Sequence, residues 1–275
     1  MTTQPPHASG ANGAAIDLQH VTIAYHRRVV CDDISLSVAA GSFTVLVGAN
    51  GCGKSTLLKA VAGTVPVAAG TVTVEGRPRR AWGRRELARR VGLLPQSNVA
   101  PEGILVRDLV ARGRHPYRSA LQRWSRADDS AVDEALAATG LTAVADEAVD
   151  RLSGGQRQRA WLAMLLAQRS EIMLLDEPTT YLDIAHQHEL LELLGRLHAE
   201  GRTIVAVLHD LNQAARYASD VLVVAGGRVV AAGRPAEVLT AQVVEEAFGV
   251  RCRVGTDPVS GTPVFFTESV PGAGG

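Results

Sequence analysis

The feature that most constrains the fold of this chain is a glycine-rich segment, GANGCGKST, at residues 48–56. It fits the pattern G-x-x-x-x-G-K-[ST], follows an apolar run at 43–47 and precedes a helical pattern at 55–62. Glycines let the backbone turn tightly, so that successive N–H groups point at one anion, and the following helix N-terminus favours negative charge. The spacing therefore predicts a strand, a phosphate-binding loop and a helix, in that order.

The side chains of this loop have separate expected roles. Lys54 can reach the β- and γ-phosphates of a nucleotide, and the Ser55 hydroxyl can ligate Mg²⁺. Lys54 and Lys59 are the only lysines among 28 basic residues, so the loop carries lysine in a chain that otherwise uses arginine. The residues expected to bind nucleotide here are Gly48, Asn50, Gly51, Gly53, Lys54, Ser55 and Thr56.

Two acidic residues follow a second apolar run. Residues 172–175 are Ile, Met, Leu and Leu, and Asp176 and Glu177 come next. A buried strand that ends in aspartate places a carboxylate beside the phosphate loop, where it can hold Mg²⁺ directly or through water. The adjacent glutamate can polarise an attacking water. We therefore predict Asp176 as a metal ligand and Glu177 as a general base.

Composition bounds the class of protein. The formal net charge is zero, which gives no electrostatic reason to expect nucleic acid as a partner. No apolar run approaches the ~18 residues of a membrane-spanning helix. The three cysteines, Cys31, Cys52 and Cys252, are too few and too scattered for a disulfide framework, which suits a reducing cytosol.

Apolar patterning divides the chain into regions. The N-terminal third is β-rich, about 97–167 carries helical patterns, and strands and helices alternate from 172 onward. That alternation is typical of a mostly parallel sheet covered by helices, and Gly226-Gly227 predicts a hairpin. Residues 1–14 are expected to be a disordered start. The last eight residues are expected to be a loose tail.

Residues 152–156 read LSGGQ and precede an amphipathic helix. The Ser153 hydroxyl and the first N–H groups of that helix form a second anion-binding site, which one chain cannot easily fold onto its own phosphate loop. With this segment present, the chain resembles the ABC-type ATPases over nearly all of residues 16–240. Their remaining marks occur in the same order. They are Tyr25, Gln96, the Tyr181-Leu182-Asp183 segment and His209.

The resemblance implies an α/β fold, a P-loop NTPase core of the ABC-ATPase type with an N-terminal antiparallel β subdomain and a helical insertion subdomain at about 97–167. The ATPase domain is expected at 15–255, followed by a C-terminal extension with a flexible tail at 256–275.

The resemblance also implies roles for individual residues. Tyr25 would stack on adenine, and His209 would contact the γ-phosphate as a catalytic residue. Gln96 would be a catalytic residue and metal ligand that reports γ-phosphate occupancy, and Asp183 would shape the dimer contact at the nucleotide. The second nucleotide-binding set would be Ser153, Gly154, Gly155 and Gln156 of the opposite subunit.

The implied assembly is a head-to-tail homodimer with ATP and Mg²⁺ at its interface. A narrower resemblance, to the importer ATPases for iron–siderophore, haem and cobalamin uptake, rests on residues 113–117, 123–128 and 179–187. Within that group, the chain most resembles the iron–siderophore members. This implies separate integral-membrane permease subunits, an extracytoplasmic substrate-binding protein reached through the permease, no nucleic acid, and a peripheral position on the cytoplasmic face of the cell membrane.

Four alternatives remain open at this point. One is a haem or cobalamin importer ATPase, and another is an exporter ATPase. A third is a soluble ABC-type ATPase of DNA repair or translation, although there is no heptad run, no CxxC pair and only one ATPase domain in the sequence. The last is a regulatory phosphate-binding module without turnover, which Glu177 argues against.

Overall fold

The structure is a computed structural model that describes residues 13–26, 28–97, 99–118, 124–180 and 182–269. The strands in this part of the chain are β1 (Ala14–Tyr25), β2 (Arg28–Ala39), β3 (Phe43–Val47), β4 (Ala69–Val74), β5 (Arg77–Pro78), β6 (Val91–Leu94), β7 (Ile172–Asp176), β8 (Thr203–Val207), β9 (Asp220–Ala225), β10 (Arg228–Gly233), β11 (Arg251–Thr256) and β12 (Pro263–Ser269). The helices are α1 (Lys54–Val61), α2 (Arg84–Arg90), α3 (Val106–Ala111), α4 (Arg126–Ala138), α5 (Gly154–Ala167), α6 (Ile184–Ala199), α7 (Leu211–Tyr217), α8 (Pro235–Val238) and α9 (Ala241–Phe248). Short 3₁₀ helices lie at Arg79–Ala81, Arg112–Tyr117, Thr142–Val144 and Val149–Arg151.

The central sheet has the strand order β10-β9-β3-β8-β7-β6 and is parallel except for β10. Every residue of β3, β7 and β8 is buried, which explains why these strands are continuous apolar runs in the sequence. The carboxyl ends of parallel strands meet at one edge of a sheet, which is where open α/β sheets bind ligands. The loops that follow β3, β6, β7 and β8 all leave from this edge.

A second sheet, with the order β2-β1-β4-β5, is antiparallel throughout. Its buried face includes Ile16, Leu18 and Ile34, which share one hydrophobic cluster with Leu57 and Leu58 of α1. This sheet is therefore packed against the helix that follows the phosphate loop. The predicted N-terminal antiparallel β subdomain and the predicted hairpin at Gly226-Gly227 are confirmed.

Three helices between residues 106 and 167, α3, α4 and α5, pack on one another around a separate cluster that includes Val106, Leu109 and Leu136. A buried ion pair links the 3₁₀ helix at Arg112–Tyr117 to α4 within this region. Arg114 Nε lies 2.9 Å from Asp128 Oδ1, and both side chains are more than nine-tenths buried. Burial opposes ionisation of Asp128, but hydrogen bonds from Arg114 and Ser125 outweigh it and hold the pKa of Asp128 below its usual value.

The chain ends differ from the sequence predictions. Strand β1 begins at Ala14, inside the expected disordered start, while residues 1–12 lie outside the described residues. The predicted extension begins at residue 256, but Thr256 closes β11, which pairs with β12 in an antiparallel hairpin. Glu268 and Ser269 belong to β12, so the expected loose tail starts too early; residues 270–275 are not described. Sequence patterning missed this hairpin because most of its residues are exposed or only partly buried, so that neither strand is a continuous apolar run.

None of the helices in the described ranges has both the length and the apolar character required to cross a membrane.

Candidate active site

The loop after β3 has the conformation that its glycines predict. Gly48 has φ 151°, and a Cβ atom there would lie 2.0 Å from the carbonyl oxygen of Val224. Gly53 has φ 108°, and a Cβ atom there would lie 2.8 Å from Cys31 Sγ. Both positions therefore require glycine, because the loop is packed tightly between β9 and the start of β2.

Lys54 lies inside this loop, with only 5% of its surface exposed. Its Nζ donates hydrogen bonds to the carbonyl oxygens of Gly48, at 2.8 Å, and Ala49, at 2.9 Å. Among the residues that the structure describes, no carboxylate lies within salt-bridge distance of this ammonium group. Its positive charge is therefore held at the loop without a carboxylate partner among the described residues.

The ends of β3 and β7 bring Ser55 and Asp176 together. Ser55 Oγ donates a hydrogen bond of 2.6 Å to Asp176 Oδ1. Asp176 is 1% exposed, and its second oxygen, Oδ2, is buried without a hydrogen-bond partner. Burial raises the pKa of Asp176, while the Ser55 hydrogen bond, the charge of Lys59 and the nearby backbone N–H of Gln96 act in the opposite direction. A buried carboxylate oxygen without a partner needs a cation or a donor.

Magnesium fits this pair of residues. Mg²⁺ is commonly held by one or two protein oxygens together with the phosphates of its nucleotide. Ser55 Oγ and Asp176 supply that number, and the unpartnered Oδ2 is available as a ligand. No group of three or more His, Cys, Asp or Glu side chains suited to a resident metal ion occurs in the described part of the chain.

Glu177, one residue further on, is the meeting point of three loops. Gln96 Nε2 donates a hydrogen bond of 2.6 Å to Glu177 Oε2, and His209 Nε2 lies 2.8 Å from Glu177 Oε1. The glutamate side chain is 13% exposed, and the histidine is 44% exposed. Of the three residues predicted from sequence to be catalytic, Gln96 and His209 therefore each contact Glu177. The three residues come from the loops after β6, β7 and β8.

The helix start at 153–156 has the geometry of a capped N-terminus. The Gln156 backbone N–H donates to Ser153 Oγ at 3.2 Å, and the Ser153 N–H donates to Gln156 Oε1 at 3.0 Å. Ser153 and Gly154 are exposed, and α5 packs on α3, α4 and β6. No hydrogen bond between the described residues joins 153–156 to 48–56. This helix start is therefore presented to solvent rather than paired with the phosphate loop of its own chain.

Tyr25, predicted to stack on adenine, and Asp183, predicted to shape the dimer contact, lie on other elements of the fold. Tyr25 is the last residue of β1 and is 43% exposed. Asp183 caps α6, accepting hydrogen bonds from the His186 backbone at 2.9 Å and pairing with His186 Nδ1 at 2.8 Å. These hydrogen bonds lower the pKa of Asp183. Tyr181 lies outside the described residues.

Sequence reasoning missed three glutamines near this site. Gln158 donates to the carbonyl oxygen of Pro178 at 3.0 Å, and Gln187 and Gln213 are hydrogen-bonded to each other. In the sequence, each of these glutamines is a polar residue within a helical pattern. That pattern does not indicate which group the side chain will bond.

The family model for ABC transporters matches residues 31–180, slightly more than half of the chain. The matched segment includes the phosphate loop, the 152–156 helix start and the Asp176–Glu177 pair. The chain belongs to the ABC transporter family. The resemblance predicted from LSGGQ and its companion motifs is thereby confirmed, and so is the P-loop ABC-ATPase fold.

Two named relatives are similar to this ABC protein over about nine-tenths of its length. A ferric enterobactin transport ATP-binding protein of Escherichia coli (strain K12) is 49% identical over 247 residues, which cover 90% of this chain and 91% of that protein. A petrobactin import ATP-binding protein of Bacillus anthracis is 44% identical over 251 residues, covering 91% of this chain and 92% of that protein.

A solved structure of similar shape is an ABC transporter assigned to the metal-chelate type, in an inward-facing conformation. The TM-score is 0.81 at 25% sequence identity, covering 94% of this chain and 98% of that chain. With the family established, this chain is a nucleotide-binding, ATP-hydrolysing enzyme, as its site residues predict.

Proposed function

We propose that this ABC ATPase is the ATP-binding subunit of an importer for ferric siderophores. The observation that carries the ATPase part is the contact of Gln96, Glu177 and His209 at the carboxyl edge of the sheet, beside the Ser55–Asp176 pair. The observation that carries the cargo part is the similarity, over about nine-tenths of the chain, to proteins named for ferric enterobactin and petrobactin transport.

These side chains have distinct tasks in hydrolysis. The loop N–H groups and Lys54 bind the β- and γ-phosphates, and Tyr25 stacks on the base. Glu177 takes the proton of the attacking water, and His209 donates to the γ-phosphate. Gln96 holds Glu177 through its amide and lies where the γ-phosphate would be sensed. Ser55, Asp176 and Gln96 would hold Mg²⁺, which neutralises charge on the phosphates when bound.

The exposed helix start at Ser153 supports a homodimer. It is the positive end of the α5 dipole, and no hydrogen bond among the described residues joins it to the phosphate loop of its own chain. A two-fold arrangement would place it against the phosphate loop of a second copy, with ATP between the two electropositive surfaces. ATP would then close the dimer, and hydrolysis would reopen it. Asp183 would lie at the dimer contact.

The remaining partners follow from the importer function. This chain would dock on integral-membrane permease subunits at the cytoplasmic face of the membrane. Gln96 lies where β6 leads into the helical region that would contact them. An extracytoplasmic substrate-binding protein would deliver the ferric siderophore to the permease. Nucleic acid is not a partner, in keeping with a net charge of zero.

Two measurements test the proposal. The purified chain should bind ATP with Mg²⁺ and show no affinity for ferric siderophores, because its functional residues all serve the nucleotide. Deletion of the gene should impair growth under iron limitation with a siderophore as the sole iron source. Complementation with the wild-type gene should restore growth, and complementation with Glu177→Gln should not.

Two results would contradict parts of this proposal. Binding of a ferric siderophore by the isolated chain would show that recognition is not left to its partners. Normal iron-limited growth of the deletion strain, with haem or cobalamin uptake lost instead, would replace the siderophore with one of those cargoes and leave the ATPase assignment intact.

A further inference from the structure

The backbone that carries Glu177 has an unusual conformation. Glu177 has φ 54°, in the left-handed region that a residue with a Cβ atom rarely adopts. Such a conformation persists only where the surrounding structure holds it. We expect the described residues that follow, 178–180 and 182, to supply part of that support.

Glutamine amides bind three carbonyl oxygens of this segment. Gln158 of α5 donates to Pro178 O at 3.0 Å. Gln187 of α6 donates to Leu182 O at 3.0 Å and to Thr179 O at 3.4 Å. Thr179 and Leu182 are each 8% exposed, so their carbonyl groups depend on protein donors. The backbone just after Glu177 is thus held from two helices.

The orientation of the Gln187 amide follows from these contacts. Carbonyl oxygens can only accept, so the NH₂ group of Gln187 faces them and its Oε1 points the other way. That oxygen accepts a hydrogen bond of 2.7 Å from Gln213 Nε2. The loop after Glu177 is therefore connected through Gln187 to α7.

Helix α7 begins at Leu211, two residues after His209. Asp210 caps it, accepting hydrogen bonds from the backbone N–H groups of Asn212, at 2.7 Å, and Gln213, at 3.1 Å. A shift of Gln213 would move this cap and, with it, the adjacent histidine. The Gln187–Gln213 hydrogen bond thus fixes the loop of Glu177 relative to the loop of His209.

We propose that Gln187 and Gln213 are positioning residues for hydrolysis, which hold Glu177 and His209 in the relative geometry that the reaction requires. The inference rests on the roles proposed above for Glu177 and His209. Neither glutamine touches the nucleotide in this account, and their effect is on kcat, because small displacements of catalytic groups cost rate more than substrate binding.

The same two helices supply a matched control. At the far end of α7, Tyr217 Oη donates to Glu192 Oε1 at 3.0 Å and lies 3.2 Å from His188 Nδ1. Tyr217→Phe removes a side-chain contact between α6 and α7, as Gln213→Leu does, but Tyr217 is eight residues from His209 in the sequence whereas Gln213 is four. Tyr217→Phe therefore tests whether weaker packing of α6 against α7 is enough to explain a loss of ATP hydrolysis.

The experiment measures steady-state ATP hydrolysis by the purified full chain and its variants, with melting temperature recorded for each. Gln213→Leu and Gln213→Glu remove the hydrogen bond to Gln187, the second by setting a carboxylate oxygen against Gln187 Oε1. Gln187→Glu keeps an acceptor for Gln213 but loses the donors to Leu182 and Thr179. Glu177→Gln tests the catalytic site itself.

We expect Gln213→Leu, Gln213→Glu and Gln187→Glu each to lower kcat by about 10- to 100-fold, with KM for ATP changed by less than about threefold. Tyr217→Phe should keep the wild-type kcat. The Gln187→Leu/Gln213→Leu double variant should be no slower than Gln187→Leu alone, because that single change already removes the hydrogen bond that Gln213 donates.

The proposal is overturned if the Gln213 variants that fold hydrolyse ATP at the wild-type rate, or if Tyr217→Phe slows hydrolysis as much as they do. If either result is found while Glu177→Gln is inactive, the positioning role of Gln187 and Gln213 is wrong and the catalytic role of Glu177 stands. If Glu177→Gln is also fully active, the proposed catalytic site itself is wrong.

Discussion

Ser55 Oγ donates a 2.6 Å hydrogen bond to Asp176 Oδ1, joining residues 121 positions apart in the sequence. The contact brings the start of α1 to the end of β7 and leaves Asp176 Oδ2 buried and unpartnered. A site of this kind is destabilising without its cation, because a buried polar atom without a partner costs about 1–3 kcal/mol. The nucleotide-free protein therefore holds a carboxylate in a position that serves function rather than stability.

Asp176→Asn should stabilise the nucleotide-free protein by about 1 kcal/mol, because it removes the buried charge and retains an acceptor for Ser55. It should also lower Mg²⁺-dependent hydrolysis by about 100-fold or more, since a metal contributes several kcal/mol to the transition state. Thermal unfolding without nucleotide and phosphate release with ATP and Mg²⁺ measure the two effects. A variant that is less stable than the wild type and equally active would contradict both.

The pH dependence of that stability has a definite sign. Burial raises the pKa of Asp176, so the folded protein retains its proton to higher pH than the unfolded chain does. The free energy of unfolding contributed by this group is present below the unfolded pKa and is lost as the pH rises through the folded pKa. The stability advantage of Asp176→Asn should therefore be larger at about pH 8 than at about pH 4.

Tyr25→Ala should raise KM for ATP by about 5- to 100-fold with little change in kcat, since stacking of a base on an aromatic ring contributes about 1–3 kcal/mol. Tyr25→Phe keeps the ring and should behave as the wild type. Nucleotide titration of the three proteins checks this. Equal affinities would remove Tyr25 from the nucleotide site.

Mixing two inactive variants tests whether each site is shared between copies. Lys54→Ala removes the loop cation, and Ser153→Arg blocks the exposed helix start. In a head-to-tail dimer of one variant with the other, one site loses both groups and the second site is intact. An equimolar mixture should therefore retain more ATP after gel filtration than either variant alone. Retention equal to the average of the two would place the whole site within one chain.

The buried pair Arg114–Asp128 should dominate the stability of the helical region. Arg114→Met leaves Asp128 buried without its cation and should cost about 3–5 kcal/mol. The Arg114→Met/Asp128→Asn double variant should recover most of that loss. Arg107 and Asp133 form an ion pair of similar length whose side chains are 43% and 59% exposed. Arg107→Met should therefore cost less than about 1 kcal/mol. Urea unfolding would show whether the two arginines differ as expected.

Much of the site could be predicted from sequence because its parts are local. The phosphate loop depends on glycine positions and a following helix within nine residues, and Asp176 and Glu177 follow a buried strand directly. The edge where these parts meet also follows from the alternation of strand and helix, since parallel strands end on one side.

Other parts of the structure depend on contacts between residues that are far apart in the sequence, and no local pattern predicts these contacts. Gln187 and Gln213 are 26 residues apart, on different helices, and become partners only when α6 and α7 pack. The positive φ of Glu177 is imposed by its surroundings, since glutamate has no intrinsic preference for it. The β11–β12 hairpin, whose residues are mostly exposed or only partly buried, also makes a contact that is distant in the sequence. The Phe265 backbone N–H donates to Asn212 Oδ1 of α7, a contact 53 residues distant in the sequence.

The rate of phosphate release by Glu177→Gln tests the central claim most directly. The wild-type chain should hydrolyse ATP with Mg²⁺, and the variant should bind ATP as tightly but hydrolyse it about 10²- to 10⁴-fold more slowly, which is the usual contribution of a positioned general base. The variant should also accumulate as an ATP-bound dimer on gel filtration. Hydrolysis by Glu177→Gln at the wild-type rate would contradict the account.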